Sequence, residues 1–371
     1  MLPTASRSRA PLGSGSSLRS ARNDESRNNR RHPRVTTRPY PRGMIRLILL
    51  TLVLLTASPA LAHPLIIAHR GASGERPEHT RAAYDLAIQQ GADVIEPDLV
   101  MTRDGVLIVR HENEIGGTTD VAARPEFTDR RARKTIDGET VTGWFTEDFT
   151  LAELKTLRAR ERLPDLRPAN TAFDGQEPIL TFEEVLDIAA AAGVGVAPEL
   201  KHPSYFAALG LPMEDVFVAT LERRALTGAD APVIVQCFEV APLQRLRARI
   251  ATSLLQLVAS GGGPADRPDL SYAAMATPAG LADIARYADW IGTDTALIEP
   301  TPGTPTTLIT DAHTAGLKVA AWTFRAENAF LPEPDRLGTD PAAHGRLRER
   351  LARFATYGLD AAFMDQPALG R

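Results

Sequence analysis

The sequence predicts an α/β fold, a distorted TIM (β/α)8 barrel with a small inserted subdomain after a β-hairpin. Three observations carry this. Eight apolar runs of strand length recur after residue 63. Patterns of helical period separate most of them. The runs are nearly continuous in apolar residues, as strands buried on both faces of a parallel sheet require. Eight such units in about 300 residues suit one barrel domain.

The elements follow in chain order. "LIIAHRG" (65–71) is the first strand, and a helix over 80–90 follows with Thr80 as its cap. "DVIEPDLV" (93–100) is the second strand. Arg103-Asp104-Gly105 then turns the chain into "VLIVRHE", which makes a hairpin. If Met101 pairs with Val106, partner numbers sum to 207 and Glu96 lies opposite His111. Residues 112–177 are polar, proline-bearing and too long for an ordinary loop. They form the insertion, with one helix expected over 151–161, "LAELKTLRARE". Beyond it come "VGVAPELK" (194–201), "PVIVQCF" (232–238), "SLLQLVA" (253–259), "WIGTDT" (290–295), "KVAAWTF" (318–324) and "DAAFMDQP" (360–367). Helices are expected over 181–192, 213–225, 241–248, 278–288, 305–315 and 345–357. The alternative is an open doubly wound sheet. Its dinucleotide-binding version lacks the Gly-x-Gly-x-x-Gly turn after the first strand.

The chain before residue 63 reads differently. Residues 1–43 hold ten arginines and almost no large apolar residues, a composition that cannot offset the entropy of ordering. They are expected to be a non-native or disordered basic extension, with Met44 as the true start. Over 44–62, Arg46 precedes the apolar run Leu47–Leu55, and Ala60-Leu61-Ala62 supplies a cleavage site. This predicts a signal peptide, export across the inner membrane to the periplasm, and no stable membrane insertion after its removal. The domain then spans 63–371. Eleven of the chain's 42 basic residues and two of its 46 acidic residues precede His63, leaving 31 against 44 and a net charge of −13. An acidic protein of this kind excludes nucleic acid as a partner. One cysteine, Cys237, excludes an internal disulfide.

Barrel chemistry gathers at the carboxyl ends of the strands. There the sequence places His69 and Arg70, Glu96 and Asp98, Glu199 and Lys201, Gln236, Asp294, Trp322 and Asp365. Glu96 and Asp98 are two apart on one strand and share a face. Adjacent carboxylates repel unless a cation or proton intervenes. Three oxygen donors, with Glu199, suit a hard divalent metal, Ca2+ or Mg2+. The alternative is a structural ion network with Arg70 and Lys201. His69 and His111 converging on these acids can divide acid and base roles. Arg70 and Lys201 add positive charge that suits an anionic substrate. His79 reads as a helix-end residue.

Together "HRGASGERPEHT", "IEPDLVMTRDGVLIVRHE", "PELK", "QCF" and "AWTFR" resemble the glycerophosphodiester phosphodiesterases. The insertion's "GWFTEDFTLAELKTLRARERLP" is similar to the periplasmic bacterial branch. The resemblance covers residues 65–367 and implies metal-dependent hydrolysis of glycerophosphodiesters to sn-glycerol 3-phosphate and an alcohol. It implies His69 and His111 as the acid/base pair and Arg70 and Lys201 at the phosphate. Glu96, Asp98 and Glu199 would bind the metal, calcium before magnesium. Phe238, Trp322 and Phe324 would shape the substrate pocket. Cys237 stands where the family often has Ser, and His79 where many members have Asn. The rival expectations are a lysophospholipase D or phospholipase D acting on lipid, and a non-catalytic phosphodiester-binding barrel.

Overall fold

The computed structural model describes residues 63–371. The expected extension over 1–43 and signal peptide over 44–62 lie outside the described residues. Among the described residues, no helix is long and apolar enough to cross a membrane.

Strand β1 (Leu65–His69) leads through α1 (Arg81–Gln89) to β2 (Val94–Glu96) and β3 (Asp98–Met101). β2 and β3 are one strand interrupted at Pro97, which has no N–H to give a ladder. β4 (Leu107–Val109) returns antiparallel on β3. The insertion holds the hairpin β5 (Ala132–Ile136) and β6 (Glu139–Gly143), then the single-turn α2 (Leu151–Leu154). α3 (Phe182–Ala192) precedes β7 (Gly195–Val196) and β8 (Glu199–Leu200), again one strand broken before Pro198. Next come α4 (Pro203–Ala208), α5 (Met213–Arg223), β9 (Ile234–Cys237), α6 (Val240–Arg247) and β10 (Ser253–Val258). The chain continues through α7 (Tyr272–Met275), α8 (Pro278–Ile284), β11 (Trp290–Asp294), α9 (Thr295–Ile298) and α10 (Leu308–Thr314). It finishes with β12 (Lys318–Phe324), α11 (Leu347–Thr356) and β13 (Ala361–Met364).

Parallel pairing closes the ring. β1 pairs with β2, β2 with β7, and β3 with β8. Pairing then passes from β8 through β9, β10, β11 and β12 to β13, which returns to β1. All eight strands expected from the sequence are present, and the chain is a (β/α)8 barrel. Inside it, Ile67, Val94, Ala197, Leu255, Leu257, Trp290, Ala320, Ala361 and Phe363 form an apolar plug. Each fully buried Ile, Leu or Phe contributes about 1.5–3 kcal/mol. The alternate residues of the same strands pack outward against the helices.

Four expectations need correction. The β3–β4 partners sum to 208, as in Leu99 with Val109. The turn takes an extra residue because Gly105 adopts φ 78 and the Thr102 hydroxyl accepts from Val106 N. Asp98 O therefore accepts from Arg110 N, and His111 lies one position beyond, level with Pro97 and not with Glu96. The helix over 151–161 ends at Leu154. Arg158 and Ala159 leave it because their backbones bond to Asp120 and Glu177. The β5–β6 hairpin was not expected, although Asp137-Gly138 between two β-rich runs is its turn signal. Phe324 points away from the barrel interior and packs edge-on against Phe354 of α11.

Candidate active site

Period-two alternation builds the site. On four of the inward strand faces the plug residue is followed, two positions later, by a polar one. Ile67 gives way to His69, Val94 to Glu96, Ala197 to Glu199, and Phe363 to Asp365. Register then levels these groups: His69 pairs with Glu96, Asp98 with Glu199, and Glu199 with Gln236. They open on a cavity of about 300 Å³ lined by His69, Arg70, Glu96, His111, Glu199, Lys201, Phe238 and Trp322, among others. Asp98 does not line it but clusters with Glu96 and Glu199, which do, so the residues expected from the sequence converge on one place.

Glu96, Asp98 and Glu199 each offer a carboxylate oxygen, and these oxygens lie within 4.8 Å of one another. All three residues are buried. The expected ion network is also present. Lys201 Nζ lies 2.8 Å from Glu199 Oε1 and 3.5 Å from Asp98 Oδ1, and Arg70 Nε lies 3.3 Å from Asp98 Oδ2. It does not satisfy the acids. Asp98 Oδ1 has no hydrogen-bond partner. Burial and the neighbouring Asp98 charge push Glu96 well above the usual carboxylate range. Burial, against the pull of Lys201, pushes Glu199 up to about 8. Asp98 stays ionised: burial opposes this, but Lys201, His111 and His79 hold it well below its ordinary value. An all-oxygen set still short of positive charge fits a hard divalent cation.

Each histidine is oriented the same way. His69 Nδ1 lies 2.7 Å from Asp365 Oδ1, and His111 Nδ1 lies 2.5 Å from Glu112 Oε1. Asp365 and Glu112 both sit below the usual carboxylate range despite burial, so each accepts and each imidazole carries its proton on Nδ1. Nε2 of both rings has no hydrogen-bond partner among the described residues. Burial and then Arg70 push His69 down to about 4. Burial, then Arg70 and Lys201, push His111 down too, although 30 % of its side chain stays in solvent.

The insertion supplies an arginine behind each carboxylate. Arg167 Nη2 donates to Asp365 Oδ2 at 2.6 Å, and its Nε donates to Glu327. Arg162 Nη2 donates to Glu112 Oε2 at 2.7 Å, while its Nε reaches Glu78 at 2.6 Å. Glu78 in turn accepts from Arg70 Nη1 at 3.1 Å. Arg70 adopts φ 61 and donates its backbone N–H to Glu96 Oε2 at 2.8 Å. Gly71, at φ 83, lies where a Cβ would come within 2.7 Å of Ala83, so only glycine lets the loop close on α1.

Sequence reasoning missed several of these groups. His79 is fully buried, with Nε2 2.8 Å from Asp98 Oδ2 and Nδ1 2.8 Å from the Tyr84 hydroxyl. Burial keeps it neutral, so Nε2–H donates to Asp98 and fixes that carboxylate. Its polar run "PEHT" concealed this, although Thr80 caps α1 as expected. Glu112 was legible as the residue beside His111. Nothing local marks Arg162 or Arg167 among the insertion's other arginines.

The sequence model of the Glycerophosphoryl diester phosphodiesterase family matches residues 69–369. A glycerophosphodiester phosphodiesterase of Arabidopsis thaliana is 37% identical over 288 residues, covering 73% of this chain and 77% of that protein. One from Haemophilus influenzae is 30% identical over 260 residues, covering 62% and 68%. The solved structure of an Oleispira antarctica phosphodiesterase, in complex with the product sn-glycerol-3-phosphate, superposes with a TM-score of 0.56 at 21% identity. It covers 82% of this chain and 94% of that one.

Proposed function

Because the chain belongs to the glycerophosphoryl diester phosphodiesterase family, we propose that it hydrolyses glycerophosphodiesters to sn-glycerol 3-phosphate and an alcohol. One observation carries the reading. Two imidazoles, each held through Nδ1 by a carboxylate, face one cavity beside three clustered acids.

Glu96, Asp98 and Glu199 would hold a divalent cation, calcium before magnesium, since an all-oxygen donor set suits hard cations. When bound, it would supply positive charge to the phosphoryl oxygens. Arg70 and Lys201 hold the phosphate from the protein side. A bound phosphate anion raises both imidazoles from their depressed values toward neutrality. His69 Nε2 accepts a proton from the nucleophile, water or the glycerol 2-hydroxyl. The new oxygen–phosphorus bond forms as the bond to the alcohol breaks, and His111, protonated on both nitrogens once the phosphate is bound, gives that alcohol its Nε2 proton; where the 2-hydroxyl is the nucleophile, water then opens the cyclic phosphate with the two rings in exchanged roles. His111 takes the acid role because it alone of the two also lines the neighbouring cavity. Trp322 Nε1, a buried donor without a partner, supports glycerol binding in the first cavity, with Phe238 beside it.

That the relatives are glycerophosphodiester phosphodiesterases favours this reading over lipid cleavage or a non-catalytic barrel. The signal-like run over 44–62 supports export to the periplasm and the periplasmic branch, with 63–371 as the working domain and 112–177 as its insertion. The test is turnover of glycerophosphocholine by metal-stripped protein with Ca2+ or Mg2+ restored. Release of sn-glycerol 3-phosphate only with metal is expected. No release with either metal overturns the reading.

A further inference from the structure

A second cavity, of about 470 Å³, adjoins the first. His111, Glu199, Lys201 and Phe238 line both. A phosphodiester held at Arg70, Lys201 and His111 would therefore send one ester arm into each cavity. The first offers the Trp322 N–H, Asp294 and Thr295, which suit a polyol. The second is walled by Asp137 from the β5–β6 tip, Glu239 just beyond β9, and the Tyr272 ring of α7.

Most acids of this second cavity are already matched. Glu112 is held by Arg162, and Asp137 Oδ2 lies 2.5 Å from His202 Nδ1. Glu199 pairs with Lys201 and belongs to the carboxylate cluster of the first cavity. Glu239 is the exception. It is 3% exposed and accepts only the Ser204 N–H, at 3.1 and 3.2 Å from its two oxygens. Among the described residues it forms no ion pair. A buried carboxylate without a cation is costly, and a ligand cation relieves that cost. The rings of Phe238 and Tyr272 meet edge-to-face at 5.9 Å in the same wall, giving aromatic surface that attracts an ammonium group. The volume is ample for a small alcohol.

We propose that this cavity receives the leaving-alcohol arm and selects alcohols that carry an ammonium group, with Glu239 as the counter-charge and Phe238 and Tyr272 as the aromatic wall. The proposal rests on the phosphodiesterase reading and deepens it. Its test compares kcat/KM for glycerophosphocholine with that for the neutral-headed glycerophosphoglycerol. The wild type should favour the cationic substrate by about tenfold, and Glu239→Gln should lower that ratio by about fivefold or more. Tyr272→Leu should lower it in the same direction and serves if Glu239→Gln does not fold. An even ratio in the wild type, or a ratio unmoved in the folded variants, overturns the proposal. Binding of free choline, read by saturation-transfer NMR with glycerol as control, separates it from the parent reading. Choline binding that Glu239→Gln abolishes supports the cavity assignment even if no diester is turned over, an outcome that would sink only the phosphodiesterase reading. Choline that fails to bind the wild type at millimolar concentration overturns the assignment.

Discussion

Arg167 Nη2 lies 2.6 Å from Asp365 Oδ2, joining the insertion to the end of the last barrel strand. Five residues earlier, Arg162 makes the equivalent contact with Glu112. The insertion thus stands behind the carboxylates that hold both histidines, which on the proposed mechanism gives it a positioning role. Replacing Arg167 by Met should lower kcat by about tenfold with little change in KM, as a misplaced imidazole would. It should also cost about 3 kcal/mol of stability, because Asp365 loses a buried partner. Arg167→Lys should recover part of kcat. Steady-state kinetics with a denaturation curve checks this, and an unchanged kcat in the Met variant removes the positioning role.

His69→Ala and His111→Ala should each lose at least ~10²-fold in turnover, the scale of a missing acid or base. Metal binding should survive, because neither ring belongs to the carboxylate cluster. The double variant should be little worse than the poorer single one. A p-nitrophenyl ester, whose leaving group needs no proton, should rescue His111→Ala more than His69→Ala. The opposite order would reverse the two roles.

Calcium added to stripped protein should raise its melting temperature, by about 2.7 kcal/mol of stabilisation at a hundred times Kd. Asp98→Asn should abolish that rise. Without metal, Glu96→Gln should melt no lower than wild type, because burial and Asp98 already penalise the ionised Glu96 carboxylate. A calcium response unchanged in Asp98→Asn, Glu96→Gln and Glu199→Gln alike would falsify the metal assignment and leave the ion network as the cluster's purpose.

Glu239 gives a pH-dependent prediction. Burial raises its folded-state value to about 7, against about 4.3 when unfolded. Between those values the folded chain binds the extra proton, so this group's contribution to stability falls as pH rises. Glu239→Gln should therefore stabilise the protein, by on the order of 1–3 kcal/mol at pH 8 and by less at pH 5. Melting curves at the two pH values check the sign, and a gap that widens toward acid would contradict it.

The barrel was legible because several strands repeat one pattern, an apolar run that turns polar toward its carboxyl end. That pattern located His69, Glu96, Asp98 and Glu199 without any tertiary information. His111 depended on the hairpin, and the register was off by one because turn geometry, not pairing preference, sets it. His79 stayed hidden because burial, not residue type, makes it a partner of Asp98. Arg162 and Arg167 were illegible for a different reason. Their partners lie at distances in sequence of up to 198 residues, and a polar insertion offers no periodicity to say which arginine turns inward.

His69 lies in the first strand and its carboxylate partner 296 residues later, just past the last strand. During synthesis the His69 imidazole emerges early, and the residue that sets its tautomer follows 296 residues later. Until β13 docks between β12 and β1, the ring is unfinished and the imidazole has no fixed proton. On the proposed mechanism, competence waits for synthesis to reach Asp365: a product ending before it would carry both histidines and all three clustered acids, yet lack the group that fixes the His69 proton.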